Sequence, residues 1–262
     1  MIRFQIGALT CQAINDGFVG YKPQSFFCNA PEDDLRAALA SYPLTKGKLL
    51  TPFHCLLVQT GAHTILIDTG LGALHPDTGC LIAGLAEAGI APENIDIVVL
   101  SHAHGDHAGG TITAENTPVF PHAQIMLSEP EWTYWQKKRG SVRDLLAKFE
   151  PQINHIAPTN TILPGITAIP APGHTPGQIA LLLESEGERL LYVGDVIAHP
   201  LHTAHPTWNI VADTDPTQAI QTRRTVMDRA AAEAVPIYVY HCTDPGPYHV
   251  TAQGNGWQLD HA

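Results

Sequence analysis

Five short apolar runs in this 262-residue chain each stop at an aspartate or a histidine, and no other feature restricts the fold as much. "HTILIDTG" (63–70) carries Asp68 near its end, "IDIVVLSH" (95–102) His102, "ITAIPAPGH" (166–174) His174, "RLLYVGD" (189–195) Asp195 and "PIYVYHC" (236–242) His241. Runs rich in Val, Ile, Leu and Tyr, bounded by Gly, Pro or Asp, read as buried strands. In α/β architectures, ligands collect at the carboxyl ends of strands. One strand-end histidine is an ordinary structural residue; five polar strand ends together point to a site.

Further strands are expected at 53–60, 123–129 and 179–185, and helices at 31–42, 80–90, 128–140 and 215–234. The last helix has Asp215 as its N-cap and Pro216 in its first turn. Hairpin-like strand pairs alternate with strand–helix–strand units. That mixture predicts two sheets packed together with helices outside. No internal repeat or long polar linker interrupts the chain, so residues 1–262 read as a single domain.

A hydrophobic content of 44% with 15% charged residues places the chain among globular proteins. Its formal charge of −11 argues against nucleic acid and against an anionic membrane surface, because both require a basic face. No apolar run is long enough for a membrane span, and the N-terminus has no signal-peptide pattern. The five scattered cysteines form no C-x-x-C, so a reducing cytoplasm is the expected compartment. Fifteen histidines, by contrast, point to metal.

"SHAHGDHAGG" (101–110) concentrates that signal in His102, His104, Asp106 and His107. Imidazole nitrogen and carboxylate oxygen suit zinc and other borderline cations. The alternate spacing lets His102 and His104 reach one ion, while Asp106 and His107 turn toward a second. Gly109 and Gly110 allow the backbone to pass close to a neighbour. Adding His174, Asp195 and His241 gives seven donors. Seven donors with one shared carboxylate is the requirement of a two-metal site.

Together with "LIDTG" (66–70), "APGHTPGQIALLL" (171–183), "YVGDVI" (192–197) and "YVYHC" (238–242), this stretch resembles the metallo-β-lactamase superfamily, in the family's order. The resemblance implies an α/β fold of the αββα sandwich type, with two mixed sheets face to face and helices outside. It implies that His102, His104 and His174 hold one metal, that Asp106, His107 and His241 hold another, and that Asp195 bridges them. Asp68 would orient a ligand histidine or, on a plainer reading, serve the turn before Gly70. The cofactors implied are two divalent ions, zinc first, with manganese, iron or cobalt also suited. A hydroxide bridging the ions would be the nucleophile, and Asp106 would carry its proton to the leaving group.

Within the superfamily, "HPTWNIVADTDPTQAIQTRRTVMDR" (205–229) and "GDVIAHP" (194–200) are similar to the branch of acyl-homoserine lactonases and methyl parathion hydrolase-like enzymes. The run "HCTDPGPYHV" departs from that branch at Cys242 and Thr243, so the pocket wall is expected to differ. A glyoxalase II-like thioesterase is the alternative. It is weakened because no Lys or Arg occurs in residues 233–262 to hold glutathione. A non-catalytic metal-binding protein is a third reading, opposed by the full set of seven donors. The expectation is a hydrolase opening a small lactone or ester, with side activity on phosphotriesters. His199, Phe26, Phe27 and Trp208 are the candidate pocket residues, although each alone is more often a packing residue. The expected partners are a small-molecule substrate and, from the branch, a second copy of the chain, with "YKPQSFF" (21–27) near the neighbour's pocket.

Overall fold

The computed structural model describes residues 2–40, 42–156 and 161–262. Two seven-stranded sheets carry the fold. The first runs in sequence order through β1 (Ile2–Ile6), β2 (Leu9–Tyr21), β3 (Leu49–Gln59), β4 (Thr64–Ile67), β5 (Ile97–Val99), β6 (Gln124–Ser128) and β7 (Ile153–Ile156). Its β1–β4 half is antiparallel, and from β4 to β7 the strands are parallel. The second sheet contains β8 (Thr161–Leu163), β9 (Ile166–Pro170), β10 (Ile179–Ser185), β11 (Glu188–Tyr192), β12 (Ile237–Tyr238), β13 (Pro247–Gln253) and β14 (Gly256–His261). Among the described residues, only β11 and β12 pair in parallel there. The expected sandwich of two mixed sheets is therefore the fold observed.

One apolar core joins the sheets. Ile65, Leu66, Ile67 and Val98 from the first sheet pack in the same cluster as Leu181, Leu183, Leu190 and Tyr192 from the second. A second cluster, containing Val226, Met227 and Ala230 from the helix Pro216–Ala232, covers the outer face of the second sheet. That helix starts as expected: the Asp215 carboxylate accepts from the Gln218 amide at 2.9 Å. The other expected helices form as Glu32–Leu39, Leu81–Glu87 and Glu129–Gln136, all shorter than their sequence windows. Residue 41, inside the first of those windows, lies outside the described residues. Among the described residues no helix is long and apolar enough to cross a membrane.

Six strands were not expected: β1, β2, β7, β8, β13 and β14. The pattern of β2 is broken at Asp16 and Gly17, where its register with β3 shifts between Asn15 and Phe18. Asp16 is buried there because its carboxylate accepts from the amides of Gly72, Gly79 and Leu81. The β13–β14 hairpin turns at residues 254–255, with Gly254 at φ +58°. A two-residue Gly-Asn turn was a hairpin signal available in the sequence.

Candidate metal centre

All five strand-end residues lie just past the carboxyl ends of their strands. Asp68 follows β4, His102 follows β5, His174 follows β9, Asp195 follows β11 and His241 follows β12. The parallel half of one sheet and the β11–β12 pair of the other open toward the same place. Asp106 and His107 sit in the one-turn helix Gly105–Ala108. The turn carries Asp106 toward His241, while the His107 ring stays 4.0 Å from that of His102 between centroids. Gly110 makes the close approach this needs, since a Cβ there would meet the Thr69 carbonyl at 2.0 Å.

The donors form two sets. His104 Nδ1 lies 3.1 Å from His102 Nε2 and 2.9 Å from His174 Nε2. Asp106 Oδ2 lies 3.6 Å from His241 Nε2 and 3.9 Å from His107 Nε2. Asp195 stands between the sets. Its Oδ2 is 3.1 Å from His174 Nε2, while its Oδ1 is 3.1 Å from His241 Nε2 and 3.2 Å from His107 Nε2. Each carboxylate oxygen thus faces one set, the arrangement a shared ligand requires.

The far nitrogens of four rings are occupied, which orients them. His107 Nδ1 donates to Asp68 Oδ2 at 2.7 Å, and His241 Nδ1 donates to the Pro52 carbonyl at 2.9 Å. His174 Nδ1 donates to Asp213 Oδ1 at 2.9 Å. His102 Nδ1 is 3.2 Å from Ser101 Oγ, which donates in turn to Asp68 Oδ2 at 2.7 Å. Asp68 itself is fully buried at φ +57° and also accepts from the Ser101 amide and the Tyr192 hydroxyl. It holds Ser101, the residue before His102, and reaches His107.

Electrostatics favour positive charge between the sets. Burial, then the neighbouring imidazoles, holds His102 and His104 well below the usual histidine range, so both rings are neutral lone-pair donors. Burial opposes protonation of His107 and His174 too. The carboxylates outweigh it together, Asp195 foremost, with Asp68 and Asp106 at His107 and Asp213 at His174, raising His107 well above its ordinary value and His174 to about 9. Asp195 is held well below the carboxylate range: burial acts against this, and His241, His107 and His174 prevail. His107 Nε2 and Asp195 Oδ1 are nevertheless buried without a hydrogen-bond partner. Lone pairs converging on one spot, with orphaned atoms among them, fit a divalent cation in each set.

Above the donors lies a cleft of roughly 290 Å³. Phe26, Leu71, Ala198, Ile210 and Val211 give it an apolar wall, and no Lys or Arg lines it among the described residues. Tyr21 and Thr51 add hydroxyls. Burial first, then the charges of Asp106 and Asp195, push the Tyr21 phenol up to about 12, so it keeps its proton. The segment 21–27 thereby lines the cleft of its own chain. Of the expected pocket residues, Phe26 lines the cleft. Phe27, Trp208 and His199 do not line the cleft; they are buried in the packing beside it. His199 sits edge-on against Phe26 and Phe27, and Phe27 lies 5.3 Å from Trp208 between ring centroids. Aromatic residues near a site were mistaken for its surface because sequence cannot tell a wall from the layer behind it.

Two carboxylates escaped the sequence reading. Asp213 supports His174. Glu131, fully buried, ties the ligand loops together. Its Oε1 accepts from the Ala103 amide and Trp135 Nε1, and its Oε2 accepts from Thr175 Oγ1 and the Gly177 amide.

This fold and donor set define a metal-dependent hydrolase. Residues 52–250 match the Metallo-beta-lactamase superfamily, and the chain belongs to that superfamily. It is 30% identical over 113 residues to an N-acyl homoserine lactonase of Bacillus cereus, a match covering 42% of each chain. Coverage of that relative is thus well under half its length. Among solved structures it is similar to AidC, described as a dizinc quorum-quenching lactonase in complex with a product, N-hexanoyl-L-homoserine. The TM-score is 0.94 at 26% identity, covering 100% of this chain and 97% of that one. The hydrolase AbOPH, of the beta lactamase superfamily, is also similar, with a TM-score of 0.91 at 26% identity, covering 99% and 96%.

Proposed function

We propose that this protein opens the ring of small N-acylated lactones at a dinuclear metal centre, with related esters and phosphotriesters as side substrates. The observation that carries the reading is the split of Asp195 between two donor sets beneath a largely apolar cleft that no Lys or Arg lines among the described residues. His102, His104 and His174 would hold one ion, and Asp106, His107 and His241 the other. Bound there, two divalent ions, zinc first and manganese, iron or cobalt as substitutes, would supply Lewis acidity at the scissile carbonyl and a water of lowered pKa.

The chain's own residues supply the rest. Asp106 is the donor-set carboxylate with substantial exposure to the cleft, its side chain being 24% exposed against 5% for Asp195. Its Oδ2 takes the proton of the attacking water and returns it to the ring oxygen as the C–O bond breaks. The Tyr240 hydroxyl fixes the Asp106 backbone by donating to its carbonyl at 2.6 Å. The apolar wall takes an acyl chain and excludes water from the reacting bond. A glutathione thioester fits less well, since no Lys or Arg lines the cleft among the described residues to pair with its carboxylates. The proposal also takes residues 1–262 as one working domain, a homodimer as the assembled form and a reducing cytoplasm as the compartment. All five cysteines are free.

The test is proton release from metal-loaded protein in a pH-stat, across lactones, aryl esters, a glutathione thioester, phosphotriesters and a β-lactam. Lactone turnover well above the rest, with Asp106→Asn losing most of it, supports the reading. Dominant thioester turnover, or near-wild-type turnover by Asp106→Asn, refutes it.

A further inference from the structure

We infer that the hydroxyls of Thr51 and Tyr21 recognise a second polar group of the substrate, a secondary amide, separate from the ester bond that is broken. The inference rests on the lactonase reading above and assigns its specificity to two residues outside the donor set.

The placement comes from the β2–β3 ribbon. Beyond the register shift, Val19 pairs with Thr51 and Tyr21 with Leu49. Directly paired residues share a face of an antiparallel ribbon, and so do residues two apart on one strand. Thr51 and Tyr21 therefore occupy diagonal positions on one face, and both line the cleft. Apart from the metal-donor side chains, they are the polar side chains that do so among the described residues.

Thr51 is 2% exposed, and its Oγ1 has no hydrogen-bond partner. A buried hydroxyl without a partner is unfavourable in the free protein and becomes satisfied when a ligand supplies one. The Tyr21 ring lies 5.2 Å from that of Phe26, which fixes it at the edge of the apolar wall. A threonine hydroxyl and a phenol each donate and accept. A secondary amide offers one donor and one acceptor, so the pair can satisfy it completely. With no Lys or Arg in the lining, an anionic group at the same position would be unpaired. Donor atoms, the two hydroxyls and the apolar wall share one cleft, as a ligand joining a ring, an amide and a chain requires.

The experiment compares N-hexanoyl-homoserine lactone with an alkyl γ-butyrolactone of equal length, in which methylenes replace the amide. Metal-loaded wild type, Thr51→Val, Thr51→Ser and Tyr21→Phe are assayed for kcat and KM. Wild type should prefer the amide substrate. Thr51→Val should lower its kcat/KM about tenfold or more, chiefly through KM, and raise that for the plain lactone, which no longer leaves a hydroxyl unpaired. Tyr21→Phe should move the ratio in the same direction, and Thr51→Ser should retain the preference. An equal fall on both substrates in Thr51→Val would mean that the residue only supports Pro52 and His241, and would overturn the inference. An unchanged ratio would do the same. If wild type with two bound ions opens neither lactone, the lactonase reading itself fails and this assignment falls with it.

Discussion

Asp213 holds His174 from behind at 2.9 Å, Oδ1 to Nδ1, with both side chains buried. The second oxygen of Asp213 accepts from the Ile210 amide at 3.1 Å, so the carboxylate is fixed by its own loop. The backbone reinforces the contact: Thr214 donates to the His174 carbonyl and Asp215 to that of Gly173, each at 2.9 Å. The loop that supplies Ile210 and Val211 to the cleft wall is thereby clamped to the turn carrying a proposed metal ligand.

Asp213→Asn keeps the shape of that contact and removes its charge. The His174 ring becomes a weaker base, and the ion held with His102 and His104 should bind about 10-fold more weakly, the low end for such partners. Competition with a chromophoric chelator measures this. Affinity equal to wild type for both ions would show that the contact only fastens the loop.

Asp68→Asn tests the other half of the centre. Asparagine tolerates the positive φ of this position, so backbone strain should not confuse the result. An amide cannot accept from all of Ser101, His107 and Tyr192 as the carboxylate does. Stability of the EDTA-treated protein should drop by about 2 kcal/mol. Affinity for the ion at His107 should fall by a further 10- to 100-fold. Denaturant titration reads the first effect and metal stoichiometry the second. Two tightly held ions in the variant would remove Asp68 from the centre.

Glu131→Gln should be as costly without touching a proposed ligand. Four donors converge on this carboxylate from three segments, Ala103 between His102 and His104, Thr175 and Gly177 after His174, and Trp135. Glutamine turns one acceptor into a donor facing donors. A loss of about 3 kcal/mol in denaturant stability is expected, with weaker binding of the ion shared by those loops. A change below about 0.5 kcal/mol would mean that the loops hold their shape through the backbone alone.

The proposed ligands were legible because they are dense. His102, His104, Asp106 and His107 occur within six positions, and His174, Asp195 and His241 each end an apolar run. Asp213 and Glu131 do comparable work as single carboxylates on segments without a signature. Only the fold brings Glu131 to Ala103 and Gly177. Strand β2 was hidden for a related reason: the polar residues at its register shift with β3 break the alternation that marks a strand. The pocket was misread at His199, Phe27 and Trp208 because their chemistry suits a cavity wall and a core equally. Burial decides between the two, and burial belongs to the tertiary structure.

His199 makes that distinction measurable. Its ring lies 5.0 to 5.7 Å from those of Tyr42, Phe27 and Phe26, with Nε2 unpaired. Burial, with a smaller contribution from His241, lowers it to about 3. An unfolded chain takes up this proton near pH 6.5, and the folded chain does so only near pH 3. Between those values the unfolded state binds more protons, so stability falls as pH falls, by ~1.4 kcal/mol per pH unit for this residue. Above pH 6.5 neither state is protonated and the contribution vanishes. His199→Phe keeps the aromatic packing and removes the titration. At pH 7.5 the variant should lie within about 1 kcal/mol of wild type, the lost acceptor for the Leu201 amide offsetting the removal of the orphaned nitrogen. From pH 6.5 down to 4 it should become progressively more stable than wild type. Thermal unfolding of both EDTA-treated proteins across that range gives the answer without interference from ion release. Parallel curves would show that the His199 ring already reaches solvent protons in the folded state.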